Sequence, residues 1–204
     1  MTTETGMKAC FPGFESIHRF EERRSGETVA EIRPGEFYVT SNPERVVTIL
    51  GSCIAACVRD RRTLVGGMNH FLLPADELQR SKDRLLGTRY GNFAMEALIN
   101  EVLKHGGARN RLEIKLFGGA RMIAGLSDVG QQNIDFVRTY LRAEQFSADV
   151  EDVGGTQARL VHFWPRTGRV RVKKIQSSEQ LAAAEADYRR DLAKRDSGGS
   201  IELF

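Results

Sequence analysis

Two apolar stretches on either side of a short polar turn constrain the fold of this chain most strongly. Residues 53–58 and 64–72 are rich in apolar and small side chains, and residues 60–63 between them are polar. This pattern predicts a β-hairpin. A hairpin centred in the middle of the turn pairs Cys53 with His70, and residues directly opposite on antiparallel strands have Cβ atoms about 4.5 to 5.5 Å apart on one face. The predicted register therefore places a thiol beside an imidazole.

Such a pair can carry out acyl-transfer chemistry. A cysteine thiol has a pKa of about 8.5, so only a small fraction is thiolate at neutral pH unless a neighbour takes the proton. His70 can accept that proton and later return it to a leaving amine, while Cys53 attacks an amide or an ester. The alternative is a core thiol, because cysteine is among the most buried residue types. A one-residue bulge at Gly66 and Gly67 would also turn His70 to the wrong face.

Further positions complete the predicted site. Gly51 and Ser52 form a tight turn just before the thiol, where backbone N–H groups can point at a developing oxyanion. Thr48 is the nearest upstream polar residue that can orient the imidazole, through its hydroxyl or its backbone carbonyl. Asn69 is a second candidate for that role, although as a neighbour of His70 on a strand it points to the opposite face.

Six segments of this sequence resemble the CheD family of bacterial chemotaxis proteins. They occur in order between about residues 46 and 175, nearly two thirds of the chain. The most specific feature is an LGSC string followed downstream by NHF and then LP. The six segments are TILGSCIAACVRD, GGMNHFLLP, GNFAMEALINEVL, KLFGGARMI, VGQQNIDFVRTYL and GGTQARLVHFWPRTGRVRVKKI.

The resemblance implies a function and a set of site residues. Members of the family are described as chemoreceptor glutamine deamidases: a cysteine attacks a glutamine carboxamide on a receptor, ammonia leaves as a thioester forms, and water then yields glutamate. The family's nucleophile matches Cys53 and its histidine matches His70. Its threonine matches Thr48, although some members carry the threonine at the position of Val47.

The resemblance also implies partners. The implied substrates are cytoplasmic helices of methyl-accepting chemotaxis receptors, and a CheC-type phosphatase is a further implied partner. The alternative function is a mainly non-catalytic adaptor that binds receptors or such a phosphatase.

Composition and charge argue against several other classes of protein. The formal net charge of +3 comes from 30 Lys and Arg against 27 Asp and Glu, too balanced for a nucleic-acid-binding surface. No apolar run approaches the ~20 residues of a membrane span, and the first residues do not resemble a secretory signal. The 3 cysteines and 4 histidines form neither a disulfide framework nor a metal-ligand pattern. We expect a cytoplasmic protein without cofactors, metal or membrane insertion.

The chain is predicted to contain one domain with two extensions. Residues 1–34 are polar and are predicted to be a mobile or peripheral N-terminal extension. Residues 35–176 form the CheD-like catalytic domain, and residues 177–204 form a C-terminal helix and a flexible tail. Strand and helix patterns in the domain predict an α+β or mixed α/β layered sandwich, with helices packed on a largely antiparallel or mixed sheet. One helix is predicted to begin at Asn92 and another at Asp128.

Overall fold

The computed structural model describes residues 7–73, 84–121 and 129–175. Within these ranges, apolar alternation and helical periodicity give strands and helices in the following order: β1 (His18–Glu22), β2 (Glu27–Glu31), β3 (Phe37–Thr40), β4 (Arg45–Leu50), β5 (Ile54–Asp60), β6 (Gly66–Asn69), α1 (Arg84–Lys104), β7 (Leu112–Gly118), α2 (Val129–Ala143), β8 (Val150–Val153), β9 (Ala158–Trp164) and β10 (Arg169–Ile175). A short 3-10 helix, Arg109–Arg111, precedes β7.

The strands form two five-stranded sheets. Sheet A has the order β1-β2-β4-β9-β10, and sheet B has the order β3-β6-β5-β7-β8. Neighbouring strands are antiparallel except for β2 with β4 and β7 with β8, which are parallel. Both helices contact sheet B. The predicted α+β layered fold with helices on a mixed sheet is therefore confirmed.

Sheet B is the middle layer. Every residue of β6 and all residues of β5 except Arg59 are buried, as expected for strands that are covered on both faces. Sheet A faces the core on one side only. On β10, for example, Arg169 and Arg171 are exposed while Val170 and Val172 pack against the core. The space between the two sheets is therefore largely apolar.

The central hairpin forms between β5 and β6, but its register differs from the predicted one. Ile54 forms an isolated antiparallel bridge with Phe71, and the pairing along β5 and β6 continues in the same register. Cys53 and His70 are therefore diagonal neighbours, and the predicted direct pairing is wrong. The shift amounts to two residues, so both side chains stay on the same face of sheet B.

The side chain of Asp60 explains this shift. Its carboxylate accepts hydrogen bonds from the backbone N–H groups of Arg62 at 2.7 Å and Thr63 at 2.8 Å. The N–H of Asp60 then donates to the carbonyl of Val65 at 2.8 Å. A carboxylate that satisfies turn N–H groups stabilises a longer loop than strand alternation predicts.

The N-terminal segment belongs to the core. Strands β1 and β2 extend sheet A, and Phe14, Ile17, Ala30 and Ile32 are buried in the hydrophobic core. The expectation of a mobile or peripheral segment is therefore wrong for these residues. The strands are short and their outward-facing residues are charged, so the inward-facing apolar residues give no clear pattern in the sequence. The predicted C-terminal helix and tail, residues 177–204, lie outside the described residues, and the predicted boundaries of the catalytic domain stay a prediction.

Helix α1 begins at Arg84, so Asn92 lies inside the helix and not at its N-cap. A Cβ atom on Gly91 would clash with the ring of Phe136 on α2. The glycine next to Asn92 thus permits close packing of the two helices and does not end the helix. Helix α2 begins at Val129, where the pattern predicted a helix, although Asp128 itself lies outside the described residues. Within the described ranges, neither helix is both long and apolar enough to cross a bilayer.

Candidate active site

Thr48 and His70 meet between the two sheets. Thr48 is on β4, where alternation directs its side chain toward sheet B and directs Val47 to the opposite face. Its Oγ1 atom lies 2.7 Å from Nδ1 of His70 and 2.8 Å from the carbonyl oxygen of Ile32. The structure therefore brings Thr48, and not Val47, against the imidazole.

These two hydrogen bonds define the tautomer of the imidazole. A threonine hydroxyl has a single hydrogen, and the carbonyl of Ile32 can only accept, so Thr48 donates that hydrogen to Ile32. Thr48 must then accept a hydrogen bond from His70, which places the ring hydrogen on Nδ1. The neutral ring consequently carries its lone pair on Nε2. That atom is buried and has no hydrogen-bond partner in the described part of the chain.

Burial keeps His70 neutral. The residue is 2% exposed, and its backbone is fixed on both sides, because its N–H donates to the carbonyl of Glu36 and its carbonyl accepts from Gly35. Desolvation lowers the pKa of His70 from its ordinary 6.5 to about 3. At neutral pH the ring is therefore an uncharged base with a fixed orientation.

Cys53 ends a turn that connects the two sheets. Residues 51–53 link β4 of sheet A to β5 of sheet B, and the side chain of Cys53 is 0% exposed. All three carbonyls of the turn accept hydrogen bonds. Gly51 accepts from the N–H of Ala120 at 2.8 Å, Ser52 from the side chain of Asn133 at 2.8 Å, and Cys53 from the N–H of Gly119 at 2.7 Å. These bonds fix the peptide planes of the turn that the sequence predicts as an oxyanion site.

The thiol and the imidazole lie on the same face of sheet B. Asn69 and Phe71 direct their side chains toward the helices, since Asn69 bonds to α1 and the ring of Phe71 meets Phe136 of α2. His70 points the other way, toward sheet A, and the register places Cys53 on that same side. The unpartnered Nε2 shows that the two side chains form no direct hydrogen bond in this structure. Cys53 and His70 are therefore diagonal neighbours on one face of the sheet, without a hydrogen bond between their side chains.

Two neighbouring residues have structural roles. Asn69 accepts a hydrogen bond from the N–H of Ala56 at 2.8 Å and donates to the carbonyl of Ala94 at 2.9 Å, so it does not orient the imidazole. Cys57 is buried, and burial raises the pKa of its thiol. It behaves as a core residue, as the sequence predicts.

Sequence reasoning missed Asn133. This residue stands on α2 beside Ile134 and one turn from Val137, and it is 0% exposed. A polar residue on the apolar face of an amphipathic helix signals a buried hydrogen bond, but its partner is some 80 positions away in sequence. The described residues hold no cluster of three or more potential metal ligands.

Comparison with known proteins gives consistent matches. The family model "CheD chemotactic sensory transduction" matches residues 72–174. A protein of Halorhodospira halophila is 46% identical over 201 residues, which cover 96% of this chain and 93% of that protein. A protein of Saccharophagus degradans is 44% identical over 206 residues, covering 97% of this chain and 94% of that protein. Both relatives carry the name "Probable chemoreceptor glutamine deamidase CheD". On this similarity, which extends over nearly the whole sequence, the chain belongs to the CheD family.

Proposed function

We propose that this protein deamidates glutamine side chains on chemoreceptors. The names of the relatives support the reaction class and the substrate. The observation that carries the proposal is the hydrogen bond from Nδ1 of His70 to Thr48, which leaves Nε2 as an unprotonated nitrogen on the face of sheet B that also carries Cys53. A fixed neutral imidazole near a thiol is the arrangement that a cysteine hydrolase requires.

The reaction proceeds through a thioester. Sγ of Cys53 forms a bond to the carbonyl carbon of the glutamine side chain, and the thiol proton moves to Nε2 of His70. His70 then gives this proton to the departing amide nitrogen, and the C–N bond breaks to release ammonia. Water attacks the thioester, His70 takes a proton from it, and that proton returns to the sulfur as the C–S bond breaks. The net change is glutamine plus water to glutamate plus ammonia.

The burial of His70 determines how the proton moves. Because desolvation lowers the pKa of the ring to about 3, a stable thiolate–imidazolium pair is disfavoured at this buried position. Proton transfer therefore accompanies formation of the C–S bond. The negative charge then develops on the carbonyl oxygen, for which the turn at Gly51 and Ser52 is the site that the sequence predicts.

The test is ammonia release from a purified receptor fragment, with intact-mass analysis of the fragment. We expect Cys53→Ala and His70→Asn to abolish release. Thr48→Val should lower kcat about 10- to 100-fold, because the imidazole loses the acceptor that sets its tautomer. Cys57→Ala is the matched control, since it removes a second buried thiol, four residues further on in β5, and it should keep most of the activity.

The contradicting results are equally definite. Ammonia release by the Cys53→Ala variant at the wild-type rate would refute the nucleophile. Loss of activity in Cys57→Ala equal to that in Cys53→Ala would show that the assay reports core packing and not chemistry.

The burial of both side chains also favours a second candidate function, an adaptor that binds receptors or a CheC-type phosphatase without turnover. Alkylation of Cys53 separates the two functions. An alkylated adaptor keeps its affinity for the partner, whereas an alkylated deamidase loses all ammonia release.

A further inference from the structure

The outer face of sheet A, turned away from sheet B, exposes large apolar side chains. Both described helices pack on sheet B. On β4 and β9 the inward-facing residues, such as Val46 and Phe163, belong to the core, so strand alternation turns their neighbours outward. On this outer face Phe20 is 37% exposed and Ile49 is 42% exposed. The face is therefore not uniformly polar, as a fully solvated sheet face would be.

The outward-facing apolar residues of sheet A form one diagonal band. Ile49 lies opposite Leu160 toward one end of the strands, and Phe20 lies opposite Val29 toward the other end. Val47 is outward-facing between these two pairs, because Val29 lies beside Arg45, two residues before Val47 on β4. The apolar band consists of these residues: Leu160, Ile49, Val47, Val29 and Phe20. Its shape fits the apolar stripe of a helix laid diagonally across the strands.

Opposite charges lie at the two ends of the apolar band. Arg171 and Lys173 are exposed on the outer face of β10, beside the end at Leu160. Glu22 and Glu27 lie opposite each other beyond Phe20, at the other end. Arg45 pairs with Glu22 at 2.9 Å and with Glu27 at 3.7 Å, so one positive charge serves two carboxylates. The β10 end is therefore basic, and the end formed by β1 and β2 keeps a net negative charge.

The chain leaves sheet A at the basic end of the apolar band, because β10 ends at Ile175. The following residues, 177–195, are predicted from their composition and periodicity to form a helix. Only acidic charges occur in the first half of this segment, namely Glu179, Glu185 and Asp187. The second half is mainly basic, with Arg189, Arg190, Lys194 and Arg195. An apolar stripe joins the two halves and consists of Leu181, Ala184, Tyr188 and Leu192.

The length of this segment matches the diagonal of the sheet. From Lys173 to Glu22 the diagonal crosses four strand spacings of about 4.8 Å and roughly six residues along the strands at about 3.3 Å each, which gives roughly 28 Å. A helix of residues 177–195 is about 28 Å long. A helix that starts beside β10 therefore places its acidic half near the basic end and its basic half near the acidic end.

We propose that residues 177–195 form a helix that covers the outer face of sheet A. Its apolar stripe packs on the apolar band, and its two charged halves meet the charges of opposite sign at the two ends. The protein then has four layers, in the order helix, sheet A, sheet B and helices. The covered sheet includes β4, which carries Thr48. The inference does not depend on the proposed deamidase function.

A second copy of the chain fits this face less well than the chain's own C-terminal segment. The area between the two ends of the band is roughly 400 Å². A stable interface between two separate proteins needs about 800 Å² on each partner. A segment tethered directly to β10 has an effective concentration in the millimolar range, so a smaller contact area is enough to hold it.

Disulfide trapping in the full-length protein tests the proposal. One variant carries Phe20→Cys with Leu192→Cys, which places a thiol at the far end of the band and another on the last apolar position of the segment. The matched control carries Phe93→Cys with Leu192→Cys, because Phe93 is 68% exposed on α1, on the other side of sheet B. With oxidised glutathione as the oxidant, we expect an intramolecular bond at least about 10-fold faster in the first variant, since the thiols must approach closely. Peptide mapping identifies the joined positions.

A charge reversal tests the electrostatic part of the fit. Lys173→Glu, added to the variant with Phe20→Cys and Leu192→Cys, should slow bond formation about threefold, because it places a negative charge under the acidic half of the segment. Arg166→Glu is the matched control. It makes the same change of charge at an exposed position in the turn between β9 and β10, and it should leave the rate within about 1.5-fold.

Three outcomes overturn the proposal. They are equal bonding rates in the two thiol pairs, a bond that joins two molecules and gives a dimer on a non-reducing gel, and equal effects of Lys173→Glu and Arg166→Glu. If Phe20→Cys does not fold, Ile49→Cys with Leu181→Cys replaces it and is judged by the same criteria against Phe93→Cys with Leu181→Cys. Because bond formation is measured without substrate, failure of this inference and failure of the proposed deamidase function are separate results.

Discussion

His70 combines two features that oppose each other. The Thr48 hydroxyl fixes the ring hydrogen on Nδ1, which prepares Nε2 to accept a proton. Burial lowers the pKa of the ring to about 3, which weakens its ability to keep one. In the proposed reaction such a base does not keep the thiol proton. It passes the proton on to the leaving group as the C–N bond breaks.

The same burial predicts an acid sensitivity of the fold. The folded-state pKa of His70 lies below its unfolded value of 6.5, so unfolding takes up a proton at any pH between about 3 and 6.5. The contribution of the neutral ring to stability is complete above pH 6.5 and is lost as pH falls toward 3. We expect wild type to lose about 3 kcal/mol more than His70→Gln between about pH 7 and pH 4.

Urea denaturation of both proteins across this pH range measures the difference. Burial raises the pKa of the Glu113 carboxyl, but hydrogen bonds from Lys115 and Arg59 lower it further than burial raises it. Protonation of such carboxylates in acid therefore also destabilises the fold. This occurs equally in both proteins, so the difference between the two curves isolates His70. Parallel curves would contradict a buried neutral imidazole.

At the scale of elements, the turn at Gly118 supports the candidate nucleophile. Gly118 ends β7 with a φ of +110°, and a Cβ atom there would clash with the carbonyl oxygen of Cys53. That same carbonyl accepts from the N–H of Gly119. The glycines therefore allow β7 to approach the turn closely enough to hold it.

Gly118→Ala should lower both stability and activity. We expect the free energy of unfolding to fall by about 3 kcal/mol or more, from backbone strain together with displacement of the Cys53 carbonyl. Gly13→Ala is the control, because Gly13 has a similar φ of +95° but no atom within 4 Å of its Cβ position. It should lose only about 1 to 2 kcal/mol from strain and keep full activity. Equal effects of the two substitutions would show that the contact with Cys53 is unimportant.

Strands were predictable where turn-forming residues flank a clear alternation of apolar and polar side chains. The strands Arg45–Leu50 and Ala158–Trp164 follow directly from such patterns. The register of the central hairpin was not predictable, because the Asp60 carboxylate and not the alternation determines the loop. Thr48, Cys53 and His70 could be selected from their spacing and residue types, and their catalytic roles stay a prediction.

Other features could not be predicted because they depend on contacts distant in sequence. Asn133 on α2 donates to the carbonyl of Ser52 in the turn before Cys53, and no local stretch of sequence reveals this partner. Strands β1 and β2 have mostly charged outward faces. Their few buried residues can be recognised as core residues only once β2 is known to pair with β4.

At the scale of the whole molecule, the candidate site depends on both sheets. Thr48 belongs to sheet A, His70 follows the last strand residue of β6 in sheet B, and Cys53 lies on the connection between the sheets. The carbonyl that receives the Thr48 hydrogen belongs to Ile32, directly after β2. The orientation of the imidazole therefore rests on a chain segment that the sequence placed outside the catalytic domain.

Deletion of residues 1–34 tests this dependence. The truncated chain leaves the β4 edge unpaired, removes the buried side chains of Val29 and Ile32, and removes the acceptor of the Thr48 hydroxyl. We expect aggregation or loss of cooperative unfolding, measured by gel filtration and circular dichroism. A peripheral extension would instead leave the unfolding midpoint unchanged.

A point substitution gives the same test without loss of a strand. Ile32→Ala should lower the free energy of unfolding by about 2 to 4 kcal/mol, because it leaves a cavity between the sheets. Glu21→Ala, on the exposed face of β1, should change it by no more than about 0.5 kcal/mol. If Ile32→Ala changed the free energy of unfolding as little as Glu21→Ala, the N-terminal strands would not be required for the stability of the rest of the domain. A much larger loss in Ile32→Ala than in Glu21→Ala would show that the N-terminal strands help to hold Thr48 against His70.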